Sequence, residues 1–341
     1  MSVAFGFGLI TCQRYPGDRR TDVELYAEAI ELAVEAERLG FDSVWTSEHH
    51  FVDDGYLPSL FVLGAAIAAR TDRVAIGTGL LLAPLHEPLR IAEDAAVVDL
   101  ISGGRTILGI GLGWRAEEFE GLGIEMSKRV RRLEDSIAVC RQAWRAELVS
   151  GGDLLRYPNV PVRPVPATPD GPPIWIGAWS EPALRRAGRL GDGFMASEPT
   201  VSELASQVSI VREARAAAGI EEDIAISIHM PTFAWNGVDA WERVRDHHHY
   251  VQWKYDDMDA ARSRAGPPEP PPQLTGEEES SLRRSIVLGR PDDVAEQIAQ
   301  IRDAAGGELH YIARLYWPGI DPAVQREAMG IFAEEVIPKL R

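Results

Sequence analysis

Eight apolar, strand-like segments recur along this chain, and helix signals follow each of them in turn. The segments lie at residues 3–10, 41–46, 73–80, 105–112, 173–178, 192–197, 224–230 and 309–316. Parallel strands need a crossover, usually a helix, between one strand and the next. The alternation therefore predicts an α/β protein whose residues 1–341 form a single (β/α)8 TIM barrel. A doubly wound open sheet is the alternative, but no Gly-x-Gly-x-x-Gly fingerprint opens the chain.

The predicted helices start and stop at capping residues. Thr21 and Glu24 form a capping-box pattern at the start of the helix predicted over 23–39, and Gly40 supplies the stop. Proline is well suited to a first helical turn, where its missing N–H is not needed. The other predicted starts are Pro58, Pro88, Ser127, Ser180, Val201, Pro291 and Pro322.

Two segments are longer than simple barrel connections need. Residues 147–172 are rich in Gly and Pro and are predicted to form a strand excursion before the fifth strand. Residues 234–285 form the second insertion, in which the proline-rich stretch 267–272 fits neither a regular helix nor a central strand. Both insertions are expected at the C-terminal face of the barrel, where active sites form, and the second is a candidate mobile lid.

The bulk composition argues against several classes of function. The formal net charge is −17, whereas nucleic acids and anionic membranes need basic patches on their protein partners. Two cysteines, Cys12 and Cys140, are too few for a disulfide framework. The chain start lacks a cationic signal segment, and no apolar run approaches the roughly 20 residues of a membrane span. A cytoplasmic protein without nucleic-acid or membrane partners is expected.

Glu48, His49 and His50 come just after the strand predicted at 41–46. The carboxyl ends of barrel strands are where active-site residues collect. In an extended backbone successive side chains point to opposite faces, so His49 faces away from Glu48 and His50. The cluster therefore predicts one catalytic histidine, His49, with Glu48 in the substrate pocket, and no catalytic metal.

Aromatic side chains end several of the predicted strands. They are Trp45, Trp114, Trp179, Phe233, Trp235 and Trp317. Aromatic walls suit a planar conjugated ligand, although tryptophans also cover barrel ends through packing alone. Trp317 is assigned to the substrate pocket, together with Cys12 at the end of the first strand.

Glycine and serine positions suggest where a cofactor lies. Gly79 closes the third strand, and a glycine there lets a ring approach the backbone. Ser180 follows Ala178 and Trp179 after the fifth strand, and a serine at a helix start offers its hydroxyl and free N–H groups to an anion. The commoner use of such a serine is an ordinary helix cap.

The remaining histidines do not complete a metal site. His247, His248 and His249 diverge by about 100° each if they lie on a helix. A solvated or lid surface is therefore favoured for them. A metal-dependent hydrolase is an alternative to a cofactor enzyme, but His229 and His310 do not clearly lie at strand ends.

Several sequence segments, spread over nearly the whole chain, together resemble the luciferase-like flavin monooxygenase superfamily. The matching segments are Gly40-Phe41-Asp42-Ser43-Val44-Trp45, Glu48-His49-His50-Phe51, Ile76-Gly77-Thr78-Gly79, Ser102-Gly103-Gly104-Arg105 and Gly113-Trp114-Arg115-Ala116-Glu117-Glu118-Phe119, with 88–93, 190–194 and 289–294. The resemblance implies a (β/α)8 barrel, usually a homodimer, that binds FMN or the deazaflavin coenzyme F-420 at the carboxyl ends of the strands.

The resemblance also implies roles for individual residues. His49 matches a histidine that assists catalysis, and Gly79–Leu80 matches a non-proline cis peptide against which the flavin packs. The flavin phosphate is expected near Ser180. The expected cofactor-binding residues are Gly79, Leu80, Trp114, Ala178, Trp179 and Ser180.

One position departs from the family pattern. Luciferases carry an arginine after the fourth strand that contacts the phosphate, and Leu112 takes that place here. Two alternatives follow: Arg115 or Arg90 compensates for the missing arginine, or the phosphate is held in a different way. Loss of that arginine is common in the deazaflavin branch, whereas Glu48-His49-His50-Phe51 is closer to the FMN monooxygenases.

The combined interpretation is a flavin-dependent monooxygenase. Reduced FMN from a separate flavin reductase is expected to react with O₂ and, through a flavin peroxide, to oxygenate a small organic substrate. His49 is the expected general acid/base, because imidazole titrates near neutral pH. The alternatives are hydride transfer with coenzyme F-420 and a non-catalytic flavin-binding protein on the same scaffold.

Overall fold

The computed structural model describes residues 2–260 and 264–341; Met1 of the predicted 1–341 barrel and residues 261–263 of the predicted insertion lie outside that description. The strands in chain order are β1 (Val3–Ile10), β2 (Ser43–Thr46), β3 (Ala75–Thr78), β4 (Thr106–Ile110), β5 (Leu148–Gly151), β6 (Arg156–Pro161), β7 (Ile174–Gly177), β8 (Gly193–Ser197), β9 (Ala225–Ala234), β10 (Val287–Gly289) and β11 (Leu309–Arg314). Their order in the main sheet shows a closed barrel. Within the described residues, β1, β2, β3, β4, β7, β8, β9 and β11 pair in parallel in that order, and β11 returns to β1. The predicted (β/α)8 TIM barrel is confirmed.

Helices surround this barrel and connect its strands. They are α1 (Asp22–Leu39), α2 (Leu60–Ala68), α3 (Pro88–Ser102), α4 (Ala116–Gly121), α5 (Arg129–Trp144), α6 (Glu181–Leu190), α7 (Val201–Ala217), α8 (Ala240–Ala260), α9 (Gly276–Arg284), α10 (Pro291–Ala305) and α11 (Pro322–Ile331). Among residues 2–260 and 264–341, no helix is both long and apolar enough to cross a bilayer.

Local capping chemistry sets most of the helix ends as predicted. Thr21 and Glu24 form a complete capping box at α1, and Gly40 ends that helix in the left-handed conformation. One predicted start is wrong. Pro58 lies outside α2, which begins at Leu60 after Ser59.

The two insertions contain regular structure. The segment 147–172 carries the antiparallel hairpin β5–β6, which confirms the predicted strand excursion. The segment 234–285 carries α8 and α9, whereas the proline-rich stretch 267–272 between them has neither helix nor strand. The short strand β10 follows the second insertion and pairs with the end of β9.

The barrel interior is filled by aromatic rings. Trp45 stacks on Trp175 with their ring centroids 5.3 Å apart. A Cβ atom at Gly77 would lie 2.3 Å from the Trp45 ring, so a larger residue does not fit at that position. Trp45 therefore belongs to the interior packing of the barrel, and the prediction that it lines the mouth is wrong.

Candidate active site

A cavity of about 510 Å³ opens at the carboxyl ends of the barrel strands. That volume lies in the range of small-molecule sites. The lining residues come from the ends of all eight barrel strands and from α8. The predicted site residues that line it are Glu48, His49, Gly79, Leu80, Trp114, Ala178, Trp179 and Ser180.

His49 is buried at the edge of this cavity, and a carboxylate holds its ring. Nδ1 of His49 lies 2.9 Å from Oε1 of Glu118, and the backbone N–H of His50 donates to the same oxygen at 2.9 Å. An ionised carboxylate only accepts hydrogen bonds, so Nδ1 carries the ring proton. The other ring nitrogen, Nε2, is left for the cavity. Glu118 was not predicted as a site residue, although it lies in the 113–119 segment that carries the family resemblance.

Three aromatic rings surround the His49 imidazole. Tyr56, Trp114 and Tyr255 contact it edge-on, with ring centroids 4.9, 5.7 and 5.6 Å away. The hydroxyl of Tyr56 lies 2.9 Å from that of Tyr255 and 3.0 Å from the hydroxyl of Ser47. Burial raises the pKa of Tyr56 well above its ordinary value. These contacts fix the orientation of the imidazole.

Glu48 and His50 point away from His49, as an extended backbone predicts. Oε2 of Glu48 accepts the backbone N–H of Leu82 at 2.6 Å, while Oε1 lies 2.7 Å from His86 and 3.0 Å from His50. Burial alone raises the pKa of Glu48, but hydrogen bonds from His50 and His86 and their charges bring it down to about 2. The Glu48 side chain has no exposed surface. Its geometry favours a role in holding the segment after β3 over the predicted contact with substrate.

The side chains of Glu48, His50 and His86 also have the donor types of a metal site. One ligand atom from each residue lies within 4.8 Å of the other two. In this arrangement the carboxylate is satisfied by the two imidazoles and by the N–H of Leu82. The expectation of no catalytic metal therefore stays a prediction.

The peptide bond between Gly79 and Leu80 is cis, as the family resemblance implies. A second non-proline cis peptide, which was not predicted, joins Gly8 and Leu9. A Cβ atom at Gly177 would lie 2.1 Å from the side chain of Leu80. The glycine at the end of β7 therefore makes room for Leu80, which forms part of the cavity wall.

Trp179 and Ser180 lie at the cavity rim, where α6 begins. Trp179 is 65% exposed. Ser180 is the N-cap residue of the ten-residue helix α6, but its side chain makes no capping hydrogen bond. The hydroxyl of Ser180 is therefore available to an anion at the rim, whereas the N–H groups of Ala183 and Leu184 donate to the Ser180 carbonyl and Pro182 has no N–H.

Neither predicted substitute for the missing phosphate arginine lines the cavity. Arg115 is buried, donates to the backbone carbonyl of His50 at 2.6 Å and pairs with Glu117. Arg90 lies on the outer face of α3 and pairs with Glu93 and Asp94. Leu112, which takes the place of the arginine, does line the cavity. Because both arginines have other partners, the structure favours the second alternative, in which the phosphate is held in a different way.

Two predicted substrate-pocket residues lie outside the cavity lining. Cys12 is packed in the main hydrophobic core, and burial raises the pKa of its thiol to about 12. Trp317 is buried in a separate apolar cluster beneath α8, where its ring contacts His248 edge-on at 5.6 Å. Phe233 and Trp235 belong to the same cluster. The prediction failed for Trp317 because residues of α8 pack over it, and for Cys12 because its side chain points into the main core.

The histidine run 247–249 lies on α8, where the ring directions diverge as predicted. His248 is fully buried, and its Nε2 lies 2.9 Å from the hydroxyl of Ser285. Burial lowers the pKa of His248 to about 3. The prediction of a solvated surface is therefore wrong for His248, which packs in the interior.

Helix α8 forms the roof of the site through buried polar contacts. Nζ of Lys254 lies 2.5 Å from a carboxylate oxygen of Asp53, and the hydroxyl of Tyr250 donates to Asp54 at 2.9 Å. The hydroxyl contact between Tyr255 and Tyr56 adds a third connection. Lid movement of this segment stays a prediction, and any opening of α8 must break these contacts.

Several cavity residues were missed by sequence reasoning. They are Glu198, His229, Gln252, Tyr255 and Arg314, together with Tyr56 and Glu118 beside His49. Arg314 gave a usable signal, because it is a charged residue at the carboxyl end of the last barrel strand. Gln252 and Tyr255 gave none, since only the packing of α8 brings them to the mouth.

The fold and this site define a (β/α)8 barrel in which a histidine, hydrogen-bonded to a buried glutamate, lies at the edge of a cavity with aromatic walls. The sequence profile of the luciferase-like monooxygenase family matches residues 5–308. The chain therefore belongs to the luciferase-like monooxygenase family, and it is an enzyme, an oxidoreductase.

Curated relatives include enzymes of both cofactor branches. The oxygenase component of a flavin-dependent trigonelline monooxygenase from Acinetobacter baylyi is 33% identical over 174 residues, which cover 50% of this chain and 48% of that protein. This chain thus aligns with about half the length of that relative. An F420-dependent glucose-6-phosphate dehydrogenase from Amycolatopsis mediterranei is 30% identical over 92% of this chain and 94% of its own length.

Solved structures show the same architecture. The monooxygenase RslO1 from Streptomyces bottropensis has a TM-score of 0.84 and 25% identity, over 98% of this chain and 99% of its own. The oxygenating constituent of 3,6-diketocamphane monooxygenase from Pseudomonas putida, solved in complex with FMN, has a TM-score of 0.77. The two chains are 22% identical, and the match covers 100% of this chain and 99% of the other. At this identity the match supports only the shared fold.

Proposed function

We propose that this chain is a monooxygenase that uses reduced FMN and O₂ to insert one oxygen atom into a small organic substrate. The observation that carries the proposal is the buried His49–Glu118 pair at the edge of a largely apolar cavity. A general acid/base beside a water-poor cavity suits a reaction in which a proton must be delivered and bulk water kept out.

The cavity residues fit a flavin. The walls near β3 and β4 are apolar and include Leu80, Leu112 and Trp114, which suits a planar conjugated ring. After the end of β7, the hydroxyl of Ser180, which makes no capping hydrogen bond at the start of α6, suits a phosphate. When bound there, reduced FMN would supply the electrons that activate O₂.

The charge of the cavity favours FMN over coenzyme F-420. Among the described residues that line it, Arg314 is the one lysine or arginine, and it lies at the end of β11 rather than beside Ser180. FMN carries one phosphate, whereas F-420 adds carboxylates on a longer tail. A strongly anionic tail finds little complementary charge here.

His49 would give or take a proton at Nε2. Glu118 would hold the ring in the matching tautomer and stabilise the imidazolium form. Such proton transfer typically contributes about 10²–10⁴ in rate. The roof residues Gln252 and Tyr255 would limit the entry of water.

Hydride transfer with coenzyme F-420 is the second candidate. It is supported by the F420-dependent glucose-6-phosphate dehydrogenase, which matches this chain over 92% of its length. In that case His49 would handle the proton of the substrate hydroxyl, and oxygen would not take part.

A flavin reductase and a second copy of the chain are the proposed partners. Val97, Leu100 and Ile101 are exposed on α3 at helical spacing, and Val62 is exposed on the neighbouring α2. An apolar stripe of this kind suits a homodimer interface.

Isotope incorporation tests the proposed function. The chain is mixed with ¹⁸O₂ and a panel of small organic substrates, while reduced FMN is regenerated by a separate flavin reductase. The proposal expects one ¹⁸O atom in a product that forms only when the chain is present. Two results together would instead establish the second candidate. They are oxidation of a substrate with F-420 under nitrogen, and no ¹⁸O in the product of the run under ¹⁸O₂.

A further inference from the structure

A second polar group lines the same cavity beside the ends of β8 and β11 and the middle of β9. It consists of Glu198, His229 and Arg314, with Gln252 from α8 above them, and we call it the β8–β11 polar patch. Nη1 of Arg314 lies 3.5 Å from Oε1 of Glu198, and the amide of Gln252 donates to Oε2 of Glu198 at 3.1 Å. Charged groups in a cavity wall are costly to desolvate, so packing alone does not account for them.

The charges of the polar patch balance. Arg314 is a buried cation, only 2% exposed, and the side chain of Glu198, its anionic partner, is 21% exposed. Burial, aided by the charge of Arg314, lowers the pKa of His229 to about 3, so this imidazole is neutral near pH 7. An ionic group placed against this patch would bring an unbalanced charge beside Arg314 and Glu198, whereas an uncharged group would not.

Two buried atoms of the patch have no hydrogen-bond partner among the described residues. They are Nε of Arg314 and Nδ1 of His229. Nδ1 of His229 lies 3.8 Å from Oε1 of Glu198, which is too long for a hydrogen bond. Buried polar atoms are nearly always hydrogen-bonded, so two unpaired atoms in residues that line the cavity indicate a polar site that is not satisfied by the chain alone.

The backbone at Glu198 supports the same interpretation. Its φ angle is 47°, in the left-handed region that residues other than glycine rarely adopt. Such conformations persist where the surrounding structure enforces them, and they are common at ligand sites. Here the conformation accompanies a carboxylate that lines the cavity.

We propose that the β8–β11 polar patch binds the polar edge of an uncharged substrate that carries a carbonyl next to an N–H or O–H group, as a lactam does. Arg314 would donate to the carbonyl, and Glu198 would accept the neighbouring N–H or O–H. Because Nη1 of Arg314 lies 3.5 Å from Oε1 of Glu198 and Nε of the same guanidinium has no partner among the described residues, the two side chains present a donor beside an acceptor, which suits two adjacent polar atoms of one ring. The inference rests on the proposed function, because it names the substrate class for the same cavity.

The patch lies close to the proposed catalytic histidine. The guanidinium carbon of Arg314 is 5.7 Å from the centroid of the Tyr255 ring, and the His49 ring is 5.6 Å from the same ring. A substrate held by its polar edge at Arg314 would therefore extend past Tyr255 toward His49. The patch would set the orientation of the substrate and leave proton transfer to His49.

Probe binding tests this inference without any turnover. The probe is 2-quinolone, which presents a carbonyl beside an N–H group, and N-methyl-2-quinolone keeps the carbonyl but lacks the donor. Calorimetric titrations are run on the wild-type chain, both flavin-free and saturated with oxidised FMN. We expect 2-quinolone to bind about tenfold more tightly or better, because only it can donate to Glu198. Equal affinities for the two probes would overturn the inference.

A charge-balanced double variant supplies the second arm. Glu198→Met with Arg314→Met removes both charges together. In this variant the affinities for 2-quinolone and N-methyl-2-quinolone should become about equal. Glu35→Met with Arg38→Met, an exposed ion pair on α1, is the matched control and should keep the preference. A preference that survives in the cavity variant would overturn the inference. So would a parallel loss of FMN affinity, since the patch would then bind the flavin.

The design separates this inference from the proposed function. If the double variant fails to fold, the wild-type ratio of the two affinities still decides. Because probe binding needs no oxygenation, a chain that takes up no ¹⁸O can still show the quinolone preference. Conversely, a chain that oxygenates its substrate can bind the two quinolones with equal affinity.

Discussion

Nδ1 of His49 lies 2.9 Å from Oε1 of Glu118, whose carboxylate is fully buried. The second oxygen of Glu118, Oε2, has no hydrogen-bond partner among the described residues. Both hydrogen bonds of the carboxylate, from Nδ1 of His49 and from the backbone N–H of His50, therefore end on Oε1. A buried acid behind an imidazole fixes its tautomer and favours its protonated form. This pair is the centre of the proposed mechanism.

Replacing His49 with alanine should remove oxygenation without removing the flavin. The expected loss in kcat is about 10²–10⁴, which is the usual contribution of a general acid/base. The Kd for reduced FMN should change by only a few fold, because the ring contributes little to the flavin walls. Steady-state kinetics and anaerobic flavin titration measure the two quantities. Unchanged turnover would place the chemistry elsewhere.

Glu118→Gln should act through His49 rather than on the flavin. The amide is nearly isosteric but has no charge, so it holds Nδ1 of His49 less firmly than the carboxylate does. The expected result is a loss in kcat that is smaller than in His49→Ala, with an unchanged Kd for reduced FMN. Glu120→Gln, at an exposed position on the same helix, is the control. A lower melting temperature with unchanged kcat would indicate a purely structural role.

Trp179→Ala and Ser180→Ala should both weaken flavin binding, but by different routes. Ser180 is expected to act on the phosphate through a charge-assisted hydrogen bond of roughly 1.5–3 kcal/mol. Its effect should nearly vanish with riboflavin, which has no phosphate. Trp179 is expected to act by packing and to affect FMN and riboflavin alike. If Ser180→Ala weakens riboflavin as much as FMN, the phosphate has been assigned to the wrong helix.

The depressed pKa of Glu48 predicts how stability depends on pH. Its pKa is about 2 in the folded chain, against an ordinary value of 4.5, so its stabilisation is complete above pH 4.5 and is lost as the pH falls toward 2. Glu48→Gln should lower the free energy of unfolding at pH 7 by roughly 1–3 kcal/mol. Denaturant titrations across this pH window should show a flatter dependence in the variant. A slope equal to that of the wild type would rule out this contribution.

Metal analysis tests whether Glu48, His50 and His86 remain a hydrogen-bonded cluster. We expect less than stoichiometric zinc or iron in the purified chain and no loss of activity with a chelator. The reason is that the Glu48 carboxylate already accepts three hydrogen bonds. One equivalent of metal whose removal abolishes activity would contradict this expectation.

The barrel and its helix ends were predictable because their signals are local. A capping box such as Thr21 with Glu24 needs only four residues of sequence, and each apolar strand is visible on its own. The direction of an individual side chain at a strand end is harder to predict. Trp45 lies near the end of one strand-like run and Trp114 just beyond another, yet Trp45 fills the barrel interior and Trp114 lines the cavity.

The missed part of the site depends on contacts between distant segments. Tyr255 and Gln252 reach the cavity only because α8 is held by Lys254 and Tyr250 on the loop after β2. The same roof encloses Trp317, which is why a tryptophan assigned to the pocket lies in a separate core. No pattern within either segment encodes this docking.

The choice of cofactor is tested most directly by anaerobic titration of the chain with reduced FMN and with reduced F-420, each followed by admission of oxygen. The account predicts that reduced FMN binds at least about tenfold more tightly and that its bound form is consumed only when O₂ is admitted. Tighter binding of reduced F-420, or its consumption by a substrate in the absence of O₂, would contradict the account.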